Sequence, residues 1–99
     1  MYLYNVTVNL ESTVAAEWLE WMKNKHTGDV IATGCFSGCR IMRLLDVEDQ
    51  GSTYSVQYTF NKMEDYDKYQ ELFAPTLQKE HREKFEGKFV AFRTIMEEV

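Results

Sequence analysis

The two histidines, His26 and His81, are the side chains of this sequence best suited to acid–base chemistry. An imidazole exchanges protons near neutral pH, so either residue is a candidate catalytic acid or base. Each also has a structural interpretation. His26 ends a predicted amphipathic helix, where it can interact with the last carbonyl groups, and His81 lies between Leu77 and Phe85 on an apolar helix face.

Arg93, Gln57 and Asn5 form a second group, which suits binding rather than catalysis. We expect them to lie on neighbouring strands of one open sheet face, together with Thr7 and Ser55. An arginine fork can hold a carboxylate or a phosphate with two hydrogen bonds. The alternative is that Arg93 forms a salt bridge to an acidic residue of a second subunit.

Other chemical motifs are missing from the sequence. The histidines have no HxxxH or HxxE spacing and the cysteines no CxxC spacing, so we predict no metal site. The GCFSG stretch at 34–38 has the wrong context for a phosphate-binding loop, and no nucleophile elbow is present. We therefore predict no cofactor. Cys35 and Cys39 lie about 13 Å apart along a predicted strand, too far for a disulfide.

Two predicted strands, in which apolar and polar residues alternate strictly, position the amide and hydroxyl side chains of the binding group. In Thr53–Phe60, TYSVQYTF, aromatic and β-branched residues alternate with uncharged polar ones, and Tyr2–Leu10 shows the same split. Each strand therefore has one apolar face that needs cover and one face of amide and hydroxyl groups. That polar face is unusual for a surface meant only for water.

Helical and further strand patterns complete the chain. Ser12 or Thr13 is predicted to cap a helix that ends near Thr27-Gly28, with one more turn at 29–33 before Gly34. Asn61 is predicted to cap the second helix, and Pro75 to break or restart it. The remaining strands are predicted at Cys35–Val47 and Lys88–Glu98, with a turn containing Gly51 after the first of them.

The predicted order βαββαβ is that of the α+β, ferredoxin-like fold: a four-stranded antiparallel sheet with two helices on one face. The first and third strands lie in the centre, and residues 1–99 form one domain. We predict that Val90 and Phe92 face the helices. Phe89, Ala91, Arg93 and Ile95 then share the open face with the polar centre, and Leu3 joins them there.

The polar centre of the open face cannot be a dry core. This centre consists of six amide and hydroxyl side chains: Asn5, Thr7, Asn9, Ser55, Gln57 and Thr59. Each buried and unsatisfied polar group costs about 1–3 kcal/mol, so six of them would rival the roughly 5–15 kcal/mol that stabilises a whole domain. The face is either solvated or covered by a second copy whose apolar margins enclose a polar cavity. The apolar residues at the margins favour the second arrangement.

The composition of the chain argues against two classes of binding partner. The net charge of −5 argues against nucleic acid, whose binding requires clustered lysine and arginine. The sequence has neither a basic tract nor an apolar run long enough for a membrane span, so we predict no membrane partner. The chain opens directly on a strand pattern without a signal sequence, which predicts a cytoplasmic protein.

Several stretches together resemble a family of small bacterial proteins known as a domain of unknown function: YLYNVTVN, EWLEWMKNKH, DVIATGCF, TYSVQYTF and KEHREKFEGKFVAFRT. The resemblance covers nearly the whole chain and implies the dimeric α/β-barrel superfamily. It brings no activity with it. Relatives in that superfamily include antibiotic-biosynthesis-type monooxygenases, haem-degrading oxygenases, isomerases and ligand binders, with pockets between sheet and helices or within the barrel.

The resemblance would give His81 a haem-ligating or proton-shuttling role. However, the tryptophan that haem-degrading enzymes carry in the second helical region is replaced here by Tyr66, Tyr69 and Phe73. We therefore predict a homodimer that binds a small polar or anionic metabolite in a sheet-lined cavity. The alternative is a small oxygenase or isomerase of the antibiotic-biosynthesis-monooxygenase or haem-degrading type, which uses His26 or His81.

Overall fold

A computed structural model describes residues 1–49 and 52–99. Its strands are β1 (Tyr2–Leu10), β2 (Gly38–Arg43), β3 (Thr53–Phe60) and β4 (Phe89–Glu97). Its helices are α1 (Ser12–Trp21), α2 (Thr27–Ala32), α3 (Met63–Leu72) and α4 (Ala74–Lys84). A π-helical turn, Met22–His26, joins α1 to α2 without a break.

The sheet has the predicted topology. The strands pair antiparallel in the order β2-β3-β1-β4, so the two strands with the clearest alternation lie in the centre. The α+β, ferredoxin-like fold is thereby confirmed. The predicted turn at Gly51 lies outside the described residues, although the β2–β3 pair that it joins is present.

The core lies between the sheet and the helices, and aromatic rings dominate it. Trp18 is fully buried and packs against Tyr54 with 5.2 Å between the ring centroids. Such offset and tilted ring pairs stabilise a core beyond the area that they bury. The buried hydrophobic residues of this core, among those described, are Tyr4, Val8, Leu10, Trp18, Met22, Val30, Cys35, Phe36, Tyr54, Val56, Tyr58, Phe60, Tyr69, Ala74 and Phe85.

Several predicted boundaries were wrong. The first helical region continues through Gly28 to Ala32 because Val30 is fully buried there, and Gly34 then reverses the chain with φ +79°. The second strand begins at Gly38, since Cys35 and Phe36 turn into the core before it.

The predicted helix caps were also wrong. The residues at the cap positions are Glu11 and Lys62, and neither forms a side-chain cap hydrogen bond. Pro75, by contrast, lies in the first turn of α4, where its missing N–H costs nothing.

The predicted facing of β4 was wrong, and this changes the site. Arg93 pairs with Val6, and Ala91 pairs with Val8. Because directly opposed residues of an antiparallel pair point to the same side of the sheet, Arg93 lies on the helix face. Val90 and Phe92 lie on the open face instead.

In the described part of the chain, no helix combines the length and the apolar character that crossing a membrane requires.

Candidate functional site

A cavity of about 40 Å³ lies between the sheet and the helices. Apolar and aromatic side chains of β1 and β3 form its floor, among them Val8 and Val56. Its polar lining includes His26, Gln78, His81 and Arg93, beside three tyrosine side chains. We call it the His26–His81 cavity. It brings together three side chains that the sequence singled out, from three separate elements.

The π-helical turn carries His26 to the cavity. The Thr27 amide and the Thr27 hydroxyl, at 2.9 Å, both donate to the Met22 carbonyl oxygen, which closes the wider turn. Met22 and His26 consequently both line the cavity and are both buried. Insertions of this kind in helices occur frequently at functional sites.

His26 is buried with an unsatisfied ring nitrogen. The side chain is only 8% exposed, and its Nδ1 has no hydrogen-bond partner among the described residues. Burial lowers the pKa of His26 below 6.5, although the nearby carboxylates of Glu80 and Asp29 partly oppose this effect. His26 is therefore a neutral imidazole at neutral pH, with a free nitrogen in a protein interior.

Lys25 ties the π-helical turn to α4. Its Nζ contacts Asp29 Oδ2 at 2.7 Å and Glu80 Oε1 at 3.1 Å. These ion pairs are exposed and contribute little stability. Their effect on the site is to hold two carboxylates near His26, which limits the fall in its pKa.

His81 is held by an unusual partner. The indole Nε1 of Trp18 donates a hydrogen bond of 2.8 Å to Nε2 of His81. An indole N–H can only donate, so Nε2 must carry a lone pair and a neutral His81 must carry its proton on Nδ1. His81 thus presents an N–H donor through Nδ1.

The environment keeps His81 neutral. Burial lowers its pKa to about 4, and the positive charges of a protonated His26 and of Arg93 act in the same direction. Phe89 packs edge-on against the His81 ring at 4.4 Å, and Trp21, Phe85 and His26 surround the rest of it. Because aromatic rings cover much of this half-buried imidazole, less water is available to stabilise a positive charge on it.

Arg93 lies at the exposed end of the cavity. No ion pair joins it to a carboxylate within residues 1–49 and 52–99. Strand β4 is an edge strand, so the long side chain can reach water from the helix face. An unpaired guanidinium at the mouth of a cavity with neutral polar walls will attract an anion.

Acidification should destabilise the protein through His81. Between pH 6.5 and about pH 4, His81 is protonated in the unfolded chain but neutral in the folded protein, so the free energy of unfolding falls as pH falls. The lowered pKa of His81 corresponds to a loss of about 3 kcal/mol of stability by pH 4. Urea unfolding at a series of pH values in this window measures how steeply the free energy of unfolding depends on pH.

His81→Gln supplies the control for this measurement, because glutamine can still accept the Trp18 hydrogen bond but does not titrate. Its stability should depend less on pH between 6.5 and 4 than that of the unaltered protein. An equal slope in the two proteins would show that His81 is not the group responsible.

The open face of the sheet carries a continuous hydrogen-bonded row, which we call the polar belt: Arg40, Gln57, Ser55, Asn5, Thr7 and Thr94. Arg40 Nε donates to Gln57 Oε1 at 2.8 Å, and Gln57 Nε2 donates to Ser55 Oγ at 3.1 Å. Ser55 Oγ donates to Asn5 Oδ1, and Asn5 Nδ2 donates to Thr7 and Thr94. The belt crosses all four strands and satisfies its own central groups.

Apolar side chains flank the polar belt. Phe92 is 61% exposed and Val90 is 71% exposed, and Met42 and Met96 are also exposed. The predicted pattern of a polar centre with apolar margins is therefore present, although β4 contributes the opposite set of residues. The arginine of this face is Arg40, whereas Arg43 packs over the Tyr54 ring on the helix side.

The predicted group of Arg93, Gln57 and Asn5 does not exist, because Arg93 lies on the opposite face of the sheet. Asn5, Thr7, Ser55 and Gln57 do lie together. Sequence reasoning missed Gln78 and the Trp18–His81 hydrogen bond. Trp18 and His81 are 63 residues apart, and no spacing signal relates them.

Neither a three-residue metal-binding group nor an unengaged Nε2 on His81 is found in the described part of the chain. Within the part of the chain that the structure describes, no three histidine, cysteine or acidic side chains form a group that could hold a metal ion. His81 could ligate iron through Nε2 only by giving up the Trp18 hydrogen bond. The Cys39 thiol is half-buried, which raises its pKa to about 11 and keeps it protonated.

Solved structures similar to this chain share its fold. A dimeric ferredoxin-like protein from an uncultured marine organism aligns over 100% of this chain and 95% of its own, with 14% identity and a TM-score of 0.74. HapK from Hahella chejuensis aligns over 100% and 93%, with 12% identity and a TM-score of 0.71. A candidate antibiotic biosynthesis monooxygenase from Deinococcus radiodurans aligns over 100% and 93%, with 13% identity and a TM-score of 0.68.

Curated protein sequences give no match. At these identities the structural likeness shows the fold alone. A family model, described as a domain of unknown function, matches residues 1–99. The chain therefore belongs to the domain-of-unknown-function family DUF4286.

Proposed function

We propose that the protein is a cytoplasmic homodimer whose single domain binds a small polar or anionic molecule in the His26–His81 cavity. The observation that carries the proposal is the buried Nδ1 of His26, which has no partner among the described residues. A buried polar atom left without a partner costs about 1–3 kcal/mol. A bound molecule that hydrogen-bonds to it would recover that energy.

The charge of the cavity supports an anion. Arg93 supplies a cation at the mouth, and His81 supplies an N–H donor inside. Gln78 adds an amide to the same lining. A carboxylate can accept from several of these donors at once, and charge-assisted hydrogen bonds of this kind are the strong ones.

The size of the cavity supports a small molecule. A volume of about 40 Å³ holds roughly three water molecules, since each needs about 10–15 Å³ of such cavity space. A short carboxylate fits such a space. A larger ligand would have to leave part of its structure outside, next to Arg93.

The open face supports the homodimer. An antiparallel sheet face that exposes Phe92, Val90, Met42 and Met96 around a polar belt matches the composition of an interface between copies. The marine neighbour with the same fold is described as dimeric. The central groups of the polar belt already hydrogen-bond to one another. A second copy that covers the belt would therefore leave few of them without a partner.

Arg93→Met should weaken the binding of small carboxylates. Loss of the guanidinium removes a charge-assisted contact, so we expect the Kd for formate, acetate or pyruvate to rise by about 10–100-fold. Titrations followed by NMR chemical shifts of the lining residues measure this Kd directly.

Arg40→Met is the matched control, since it removes an arginine from the opposite face of the same sheet. It should leave the Kd unchanged. If none of these carboxylates shifts the signals of the cavity residues, the cavity holds only water and the proposed binding function is wrong.

An enzyme of the small oxygenase or isomerase type is the second candidate. One observation favours it: a neutral imidazole with an unpaired nitrogen lies beside a second imidazole that is fixed as a donor. The neighbour from Deinococcus radiodurans with the same fold is described as a candidate monooxygenase. The arrangement of the two histidines bears on proton transfer more directly than on oxygen chemistry.

A further inference from the structure

We propose that the His26–His81 cavity is a proton-transfer site for short 2-oxo carboxylates, with His26 as the base and His81 as the donor to the carbonyl oxygen. This inference rests on the proposed function, because it needs a carboxylate held next to Arg93. It goes further by assigning a reaction and a separate role to each histidine.

The Trp18 hydrogen bond separates the two roles. His81 has Nε2 engaged as an acceptor and its proton on Nδ1, so it can donate to an oxygen but cannot take up a proton without losing Trp18. His26 has no such constraint: with its proton on Nε2 it carries a lone pair on Nδ1, which has no hydrogen-bond partner among the described residues. One ring is therefore arranged as a donor, and the other is available as an acceptor.

The spacing lets one molecule contact both rings. The centroids of His26 and His81 are 5.8 Å apart, and both residues line the same cavity with Arg93. A 2-oxo acid has a carboxylate, a carbonyl oxygen and an acidic C–H bond within a few bonds of one another. These three features match a cation, an N–H donor and a free imidazole nitrogen.

The reaction step balances without an oxidant or a reductant. The C–H bond next to the carbonyl breaks, and its proton moves to Nδ1 of His26. The electron pair of that bond forms a carbon–carbon double bond, and the carbonyl π electrons move to the oxygen, which accepts from Nδ1–H of His81. The protonated His26 then exchanges that proton with solvent, and delivery of a solvent-derived proton to the same carbon restores the carbonyl, regenerates the base and completes the exchange.

The charges around His26 suit a base that is protonated only transiently. The carboxylates of Glu80 and Asp29 favour the protonated ring. Burial and the positive charge of Lys25 on the same turn oppose it. Trp18 takes no part in the reaction itself and is a positioning residue, since it acts only through His81.

The experiment follows exchange of C–H protons for deuterium. Pyruvate and 2-oxobutyrate are incubated with the protein in D2O, and ¹H NMR records loss of the signal next to the carbonyl. We expect exchange about 100-fold faster than in buffer containing an equal concentration of imidazole, in line with general acid–base catalysis. His26→Gln should abolish the excess, whereas Lys23→Gln, an exposed change on the same turn, should not alter it.

The role of Trp18 has its own readout. Long-range ¹H–¹⁵N spectra of the histidines should show His81 with its proton on Nδ1, and Trp18→Phe should release it to a mixture of tautomers. Exchange should fall in Trp18→Phe while pyruvate still binds. If Trp18→Phe does not fold, His81→Gln, which keeps an N–H donor, should retain more exchange than His81→Leu.

The outcomes separate this inference from the proposed function. Carboxylates that bind without accelerated exchange would overturn the proton-transfer site and leave the binding function standing. Exchange that persists in His26→Gln would overturn His26 as the base. If the protein neither binds these carboxylates nor accelerates the exchange, both proposals are overturned.

Discussion

Trp18→Ala should lower the free energy of unfolding more than any other single change discussed for this protein, by more than about 4 kcal/mol. Trp18 is fully buried against Tyr54, and truncating a buried tryptophan costs about 3–5 kcal/mol. The change also leaves Nε2 of His81 without its donor, which adds about 1–3 kcal/mol. Urea unfolding followed by far-UV circular dichroism measures the loss.

Two tryptophan-to-phenylalanine variants dissect this effect. Trp18→Phe keeps an aromatic ring in the core but removes the N–H, so it should cost about 1–3 kcal/mol. Trp21→Phe changes a half-buried tryptophan that forms no hydrogen bond with His81, and it should cost less. A cost for Trp21→Phe equal to that for Trp18→Phe would show that the indole hydrogen bond contributes nothing.

The centre of the fold could be predicted because burial dictates its sequence. Alternation in β1 and β3 places Tyr4 and Val56 towards the helices and Asn5 and Gln57 away from them, as the structure has it. A slip of one residue would bury every amide, so the pattern allows one answer. The strand order followed from the connections.

The facing of β4 could not be predicted, because both of its faces are partly apolar. Phe89 and Ala91 alternate with Val90 and Phe92, so alternation does not choose between them. A solvated face is the usual place for an arginine, but an edge strand lets an arginine reach water from either face. The hydrogen-bonded register with β1 decides the matter, and it is a long-range property.

The candidate site was predicted as residue types but not as a group. His26 and His81 were both identified, yet the cavity that joins them with Arg93 depends on the π-helical turn and on the β4 register. Neither has a local sequence signal. The site therefore lies on the helix side of the sheet, and the polar belt on the other side is left free to meet a second copy.

Phe92→Glu should convert the proposed homodimer to a monomer that remains folded. Phe92 is 61% exposed on the open face beside the polar belt, so the isolated subunit loses little packing. In a symmetric dimer the change buries two carboxylates, one from each copy, and an unpaired buried charge is strongly unfavourable. We expect the dimer Kd to rise by at least about 100-fold, as for a central interface residue. Analytical ultracentrifugation over a range of concentrations measures it.

Leu72→Glu is the matched control for this change. Leu72 is 59% exposed but lies at the end of α3, away from the open face, so the same charge should leave the dimer intact. A dimer that survives Phe92→Glu and dissociates in Leu72→Glu would place the interface on the helices.

Because the His26–His81 cavity lies on the opposite side of the sheet from Phe92, the Phe92→Glu monomer should still bind pyruvate with the affinity of the dimer. That result would show that association and ligand binding use separate faces of one sheet.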